Sequence, residues 1–451
     1  MSATAATAPE VPPALRRERR GWYMYDWANA VFHTTVLSVF LGPYLTGVAS
    51  AAAGPDGFVH PLGIPVRAGS FYPYVVSLSV VVQVVLLPVV GAVADHSRRK
   101  KRLLAVFAYV GALATAGLFF CQGTGYLLGG VLFLVANMAF GASVTVYYAY
   151  LPELATADER DAVSTRGWAI GYIGGGLLLA LILVLFTLHD SLGLSEGDAV
   201  RVCLCSAGVW WGLFTLVPLR LLRGDGATGA AGRVGPAVRH SFGQLWRTLR
   251  ELRAYPLTLA FLAAYLIYND GVQTVIALAA TYGGEELGLD QTVLISAILL
   301  VQFVAFGGAL GLGRLAARFG AKRVVLGSLI VWAALIGCAY ALQRGQAWQF
   351  YALAAGIAIV LGGTQALSRS LFSHLIPAGK EAEYFGFYQI SDKGTSWLGT
   401  FVFGLTLQFT GSYRSAIVTL VAFFLIGFAI LAVVNLDRAI RAVGNPVPAK
   451  L

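Results

Sequence analysis

Hydrophobic positions in this chain run on rather than alternate. A helix needs about 20 apolar residues to cross a hydrocarbon layer roughly 30 Å thick. Runs of that length recur near 22–49, 71–94, 103–121, 125–150, 166–188 and 199–220. A polar, Arg-rich stretch at 221–254 interrupts them. Six more follow, near 255–282, 291–312, 324–342, 348–370, 385–410 and 413–435. The pattern predicts an all-α membrane protein with twelve transmembrane helices. The long polar loop divides them into two six-helix bundles, at 21–220 and 255–435, with a linker at 221–254. Tails at 1–20 and 436–451 complete the expected organisation.

Composition supports lipid as the solvent. Of 451 residues, 57% are hydrophobic and 12% charged, against roughly 25% charged in soluble domains. The formal net charge of +10 would suit nucleic acid in a soluble protein. In a membrane protein it points to basic cytoplasmic loops, and no nucleic-acid partner is expected. With the N-terminus inside, 27 of the 32 Lys and Arg fall on the cytoplasmic side, and only Arg67, Arg201, Arg344 and Arg414 fall outside. Such asymmetry predicts that both termini are cytoplasmic, in a multi-pass protein of the cell membrane. Residues up to about Ala14 are rich in Ala and Pro. They carry no apolar region of a signal peptide, so the first span is expected to stay as an anchor. Cys121, Cys203, Cys205 and Cys338 all lie in apolar runs and read as packing residues. Neither a disulfide framework, a metal site nor a cofactor site is expected.

Two loops resemble each other. Gly91-Ala-Val-Ala-Asp95-His-Ser-Arg98-Arg99-Lys100 follows the second span, and Gly313-Arg-Leu-Ala-Ala317-Arg318 follows the eighth. Leu151-Pro152-Glu153 before Arg166-Gly167-Trp168 likewise matches Ile376-Pro377 before Phe385-Gly386-Phe387. Duplicated six-span halves are a mark of transporters, whose substrate site lies between the halves near mid-membrane.

The segment from Gly91 to Lys100 resembles the loop motif of the major facilitator superfamily. Four further segments narrow the match: Tyr25-Asp26-Trp27-Ala28-Asn29, Tyr268-Asn269-Asp270-Gly271-Val272-Gln273-Thr274, Gln365-Ala366-Leu367-Ser368-Arg369-Ser370 and Tyr384-Phe385-Gly386-Phe387. Together they resemble the vacuolar-effluxer-like, autophagy-related family of major facilitators, over nearly the whole chain. The resemblance implies the major facilitator fold, a small-molecule substrate and a monomer. Yeast members of that family are implicated in exporting amino acids from the vacuole. The resemblance also implies that Gly91, Asp95, Arg98 and Arg99 latch the cytoplasmic side. Ala317 stands where the second copy would carry its carboxylate, so the latch is expected to be one-sided. Ala30 replaces the family's usual Ser.

Ionisable groups at membrane depth are costly unless paired or hydrated, so each is a functional candidate. Asp26, Asn29 and His33 fall on one helical face of the first span. Asp26 either faces a cavity or pairs with the Arg16 to Arg20 cluster. Asn269, Asp270, Gln273 and Thr274 lie deep in the seventh span, the first span's counterpart under the repeat. Gln389, Asp392 and Lys393 sit in the eleventh, where Lys393 either pairs with an Asp or a substrate carboxylate, or reaches the cytoplasmic surface. Arg369 closes the tenth span, as an inner gate or a topology charge. Asn137 lies on a polar face of the fourth with Gly141, Thr145 and Tyr148. It either lines a cavity or makes interhelical hydrogen bonds.

No Walker loop, His-Glu-x-x-His or Gly-x-Ser-x-Gly is present, so neither ATP hydrolysis nor enzyme catalysis is expected. The leading expectation is a secondary transporter of a small polar or zwitterionic solute such as an amino acid, coupled to protons or another ion. Efflux of lipophilic drugs or lipids, or a non-transporting receptor, are the alternatives.

Overall fold

The computed structural model describes residues 12–97, 99–224, 250–251, 253–393, 396–410 and 412–451. Arg98 and most of the linker lie outside them, as do the side chains of Asp392 and Lys393. The first half contains α1 (Pro13–Ala52), α2 (Ala68–Ser97), α3 (Lys100–Gly117), α4 (Tyr126–Tyr148), α5 (Arg160–Thr187) and α6 (Glu196–Leu221). The second contains α7 (Pro256–Thr281), α8 (Gln291–Phe319), α9 (Ala321–Ala339) and α10 (Ala347–His374). It is completed by the pieces α11 (Glu381–Lys393), α12 (Ser396–Thr410), α13 (Tyr413–Thr419) and α14 (Val421–Val433). A short α15 (Leu436–Ala442) follows. Between α1 and α2 lies the two-stranded hairpin of β1 (Phe58–Val59) and β2 (Val66–Arg67).

Among the described residues, eleven of the twelve expected spans are runs apolar and long enough to cross a bilayer. Of the expected eleventh span, residues 394 and 395 lie outside the described residues. The part before them, α11, is polar, with Glu381 and Glu383 in the first turn; the part after them holds the apolar stretch Leu398–Leu407. That polarity is tolerated because α11 packs between α2, α4 and α7 rather than against lipid. Pro13 and Pro256 open α1 and α7, where a missing N–H costs nothing. Ser195 caps α6 by accepting the Asp198 N–H. Within α1, residues Phe32–Phe40 adopt a π-helix, which shifts the phase of side chains beyond it.

Pairings repeat between the halves: α3 on α4 and α6, and α1 on α6, match α9 on α10 and α14, and α7 on α14. Trp22, Trp211 and Trp332 are fully buried within them. Leu113, Leu181, Leu213, Ile330 and Val433 are exposed, as lipid-facing positions must be. Across the halves α5 packs on α8 and α10, and α2 on α11.

Candidate functional site

One end of the bundle carries the basic loops and residues 443–451, and it is here that the halves bind each other. On α2, Asp95 Oδ1 accepts the Ala382 N–H at 3.0 Å and Oδ2 the Glu383 N–H at 2.9 Å. Those N–H groups are unpaired donors at the start of α11, so the carboxylate caps a helix of the opposite half. Gly91 permits the approach, since a Cβ there would collide with the Ala382 backbone. Lys100 Nζ lies 2.6 Å from Glu153 Oε1, 3.7 Å from Asp95 Oδ1 and 3.9 Å from Glu381 Oε2. The family resemblance put the basic partner among the Arg residues; the geometry places Lys100 beside Asp95.

Deeper in the same seam, Arg369 of α10 is fully buried. Its Nε donates to Ser164 Oγ at 2.9 Å and its Nη2 to the Ser164 carbonyl at 2.8 Å, both on α5. Nη1 lies 3.6 Å from Asp26 Oδ2 and has no closer hydrogen-bond partner among the described residues. The guanidinium sits 4.8 Å from the Trp22 ring, 4.7 Å from Tyr148 and 5.6 Å from Trp168. Aromatic faces are the surroundings in which a desolvated guanidinium is best tolerated. Asp26 Oδ2 also accepts the Tyr147 hydroxyl at 2.6 Å. Gly167 makes room for the pair, because a Cβ would stand 2.6 Å from Asp26 Oδ2. Nearby, Arg160 Nη1 of α5 donates to the Ser373 carbonyl of α10 at 2.9 Å and touches His374 Nδ1 at 3.3 Å.

These contacts decide between the alternatives left open by the sequence. Asp26 pairs across the halves with Arg369, not with the N-terminal Arg cluster. Arg17 instead reaches the Arg220 carbonyl, and Arg19 pairs with Glu159. Arg369 is no edge charge, because α10 continues to His374 and buries it. Along the face expected for Asp26, Asn29 and His33, exposure rises: Asn29 is buried and His33, at the start of the π-helix, is exposed. Asn137 donates from Nδ2 to Ser79 Oγ at 2.7 Å, an interhelical bond inside one half.

A second polar group surrounds Asp270. Its Oδ2 accepts the Gly399 N–H at 2.7 Å, and Oδ1 has no hydrogen-bond partner among the described residues. Thr274 lies one turn on, and its Oγ1 and both polar atoms of Gln389 are also buried without partners. Gly399 lets α12 approach, as a Cβ would strike Thr274 Oγ1 and crowd Asp270 Oδ2. Asn269 is buried beside Asp270 and Gln273 is half-buried. The roles of Tyr147, Trp22, Trp168, Ser164, Arg160 and Lys100 were not legible as such. Aromatic residues and hydroxyls in apolar spans look like packing until a charge is found among them.

Two six-span halves, pseudo-repeated and joined through a charged seam, define a major facilitator transporter. The solved structures agree in fold. A transporter of that superfamily, FucP in the outward conformation, aligns with a TM-score of 0.66 at 13% identity, covering 94% of this chain and 99% of that one. A bacterial homologue of the iron transporter ferroportin, in the outward-facing state, aligns at 0.64 and 15%, covering 93% and 99%. Residues 14–444 match the family described as vacuole effluxer Atg22 like, and the chain belongs to that family. It is 29% identical over 420 residues to the uncharacterized MFS-type transporter YxiO of Bacillus subtilis, covering 93% of this chain and 95% of that one. It is 26% identical to autophagy-related protein 22-1 of Penicillium rubens, covering 95% and 91%. The protein is thus a multi-pass transporter of a small molecule, not an enzyme.

Proposed function

We propose that the protein moves a small polar or zwitterionic solute, such as an amino acid, by proton-coupled export. Asp270 carries the reading. A carboxylate that is 1% exposed, with one oxygen unmatched among the described residues, is an unfinished site. A proton or a solute ammonium completes it. Asp26 and Arg369 form the inner gate, and parting the halves there exposes both charges to water. The residues singled out on α7 and α11, namely Asn269, Asp270, Gln273, Gln389, Asp392 and Lys393, belong to the substrate and coupling region. Asn29, His33 and Asn137 join them from the first half. Gly91, Asp95, Arg98 and Arg99 belong with Arg369 to the gate.

The two bundles, 21–220 and 255–435, rock about the central cavity as a monomer in the cell membrane. The basic end faces the cytoplasm, as the distribution of Lys and Arg supports. The family's description as vacuole effluxer supports export as the direction. The test is a thermal-shift screen of purified protein against amino acids, peptides and organic cations at two pH values, followed by proteoliposome flux of each hit. A ligand that binds only the folded state raises its melting temperature. Stabilisation by zwitterions and flux that follows the pH gradient are expected. Hits confined to lipophilic cations, or flux indifferent to pH, overturn the reading.

A further inference from the structure

The two copies of the repeated loop are unequal. In the first, Asp95 stands two residues before the end of α2 and joins it to the start of α11. In the second, the corresponding position is Ala317, two residues before the end of α8. The repeat would join it to the start of α5, but alanine has nothing to offer those N–H groups. The halves nevertheless meet there, since a Cβ on Gly313 would collide with Thr165 of α5.

Residues 443–451 lie across this gap. Asn445 Nδ2 donates to the carbonyls of His374 at 2.9 Å and Ile376 at 2.7 Å, anchoring the segment under the connection from α10 to α11. Val447 packs against the core and Pro448 is buried. The Ala449 N–H then donates to Asp158 Oδ1 at 2.6 Å, two residues before α5 in the opposite half. Lys450 Nζ donates to the Ala317 carbonyl at 3.3 Å. Leu451 covers Gly320, where φ is +91° and a Cβ would strike the Leu451 carbonyl.

We propose that residues 443–451 are a strap that serves as the second latch. It ties the end of α8 to the start of α5, the two elements that a carboxylate at position 317 would have joined, and it holds the basic end shut. Opening that end requires the strap to leave Asp158 while Asn445 keeps it on the second half. One latch is therefore built into the repeat, and the other is a removable segment.

The test uses nitroxide labels at Arg102 and Arg323, exposed on opposite halves at this end, in the full chain with its native cysteines replaced. Pulsed electron–electron distance measurement reads the ratio of closed to open forms. Deleting residues 444–451 should lower that ratio by roughly tenfold, the loss of charge-assisted bonds to one state only. Ala449→Pro keeps the length but removes the donated N–H, and it should reproduce a large part of the shift, as should Asp158→Ala, which removes the acceptor. In the deleted chain Asp158→Ala should add nothing, because its partner is gone. An unchanged distance distribution after deletion overturns the proposal. So does an Asp158→Ala effect equally large with and without the strap. If the deleted chain does not fold, an Ala449→Pro distribution identical to that of the parent overturns it.

Discussion

Asp26 and Asp270 occupy equivalent helices at nearly equal depth, thirteen residues after Pro13 and fourteen after Pro256. Their surroundings differ. Asp26 Oδ2 has a hydroxyl at 2.6 Å and a guanidinium from the opposite half at 3.6 Å. Asp270 has one backbone N–H from its own half and an oxygen unmatched among the described residues. A carboxylate matched across the seam can report whether the halves are together, because parting them removes its countercharge. One left incomplete within a half can bind something that arrives. The repeat supplied two similar groups, and under the proposed function their partners divide the labour between gate and site.

The sharpest way to break this comparison is to remove the countercharge. Arg369→Ala leaves Asp26 buried and unpaired, which costs about 3–5 kcal/mol where such pairs have been broken. Transport should be abolished and the melting temperature should fall steeply. Arg369→Lys keeps the charge but loses the fork that holds both Ser164 atoms, so it should restore stability in part and transport hardly at all. Full transport in either variant would remove Asp26 and Arg369 from the gate.

Asp270→Asn should give the opposite signature. The amide oxygen can still accept the Gly399 N–H, so stability should change by no more than about 1 kcal/mol. Flux should nevertheless drop to background, with no remaining response to a pH gradient, because the amide neither binds nor releases a proton. Counterflow exchange of solute, if retained, would assign Asp270 to the proton alone. Its loss as well would assign it to the solute.

The architecture was largely written in the chain. Long apolar runs and lopsided basic loops are direct consequences of the bilayer, so helix number followed from them. The eleventh span was legible only as a run, because the polarity of Glu381 to Lys393 is explained by neighbours that no local pattern reveals. Asp26, Asp270 and Arg369 stood out by charge alone. Who pairs with whom did not, since Asp26 and Arg369 are far apart in sequence and meet only through packing of α1, α5 and α10. The π-helix at Phe32–Phe40 carries no clear sequence signal either, so how exposure changes from Asn29 to His33 was not legible.

Tyr147→Phe tests the milder half of the Asp26 environment. It removes the hydroxyl at 2.6 Å and leaves the ring stacked on Trp22 at 4.6 Å. A hydrogen bond to a charged acceptor contributes about 1.5 kcal/mol. The variant should be destabilised by about that much, and the gate should open more readily, read as faster exchange with lower solute retention. A loss as large as that of Arg369→Ala would mean that the hydroxyl, not the guanidinium, keeps Asp26 in place.

The smallest effect belongs to the pair that resembles Asp26–Arg369 in chemistry but not in place. Arg19 and Glu159 meet at 2.6 Å at the basic end, both within the first half and partly open to solvent. The Arg19 hydrogen bond holds the Glu159 carboxyl below its ordinary value of 4.5, against the opposing effect of burial. A depressed carboxyl stabilises the fold at neutral pH and loses that contribution as pH falls through its folded value. Glu159→Gln should therefore cost less than about 1 kcal/mol at pH 7, because solvent screens the pair. Parent and variant should converge in melting temperature in acid. Transport should be unchanged, since the two residues do not separate when the halves part. If Glu159→Gln impaired flux as Arg369→Ala is expected to, charge pairing anywhere at the basic end would suffice, and burial across the seam would no longer distinguish the gate.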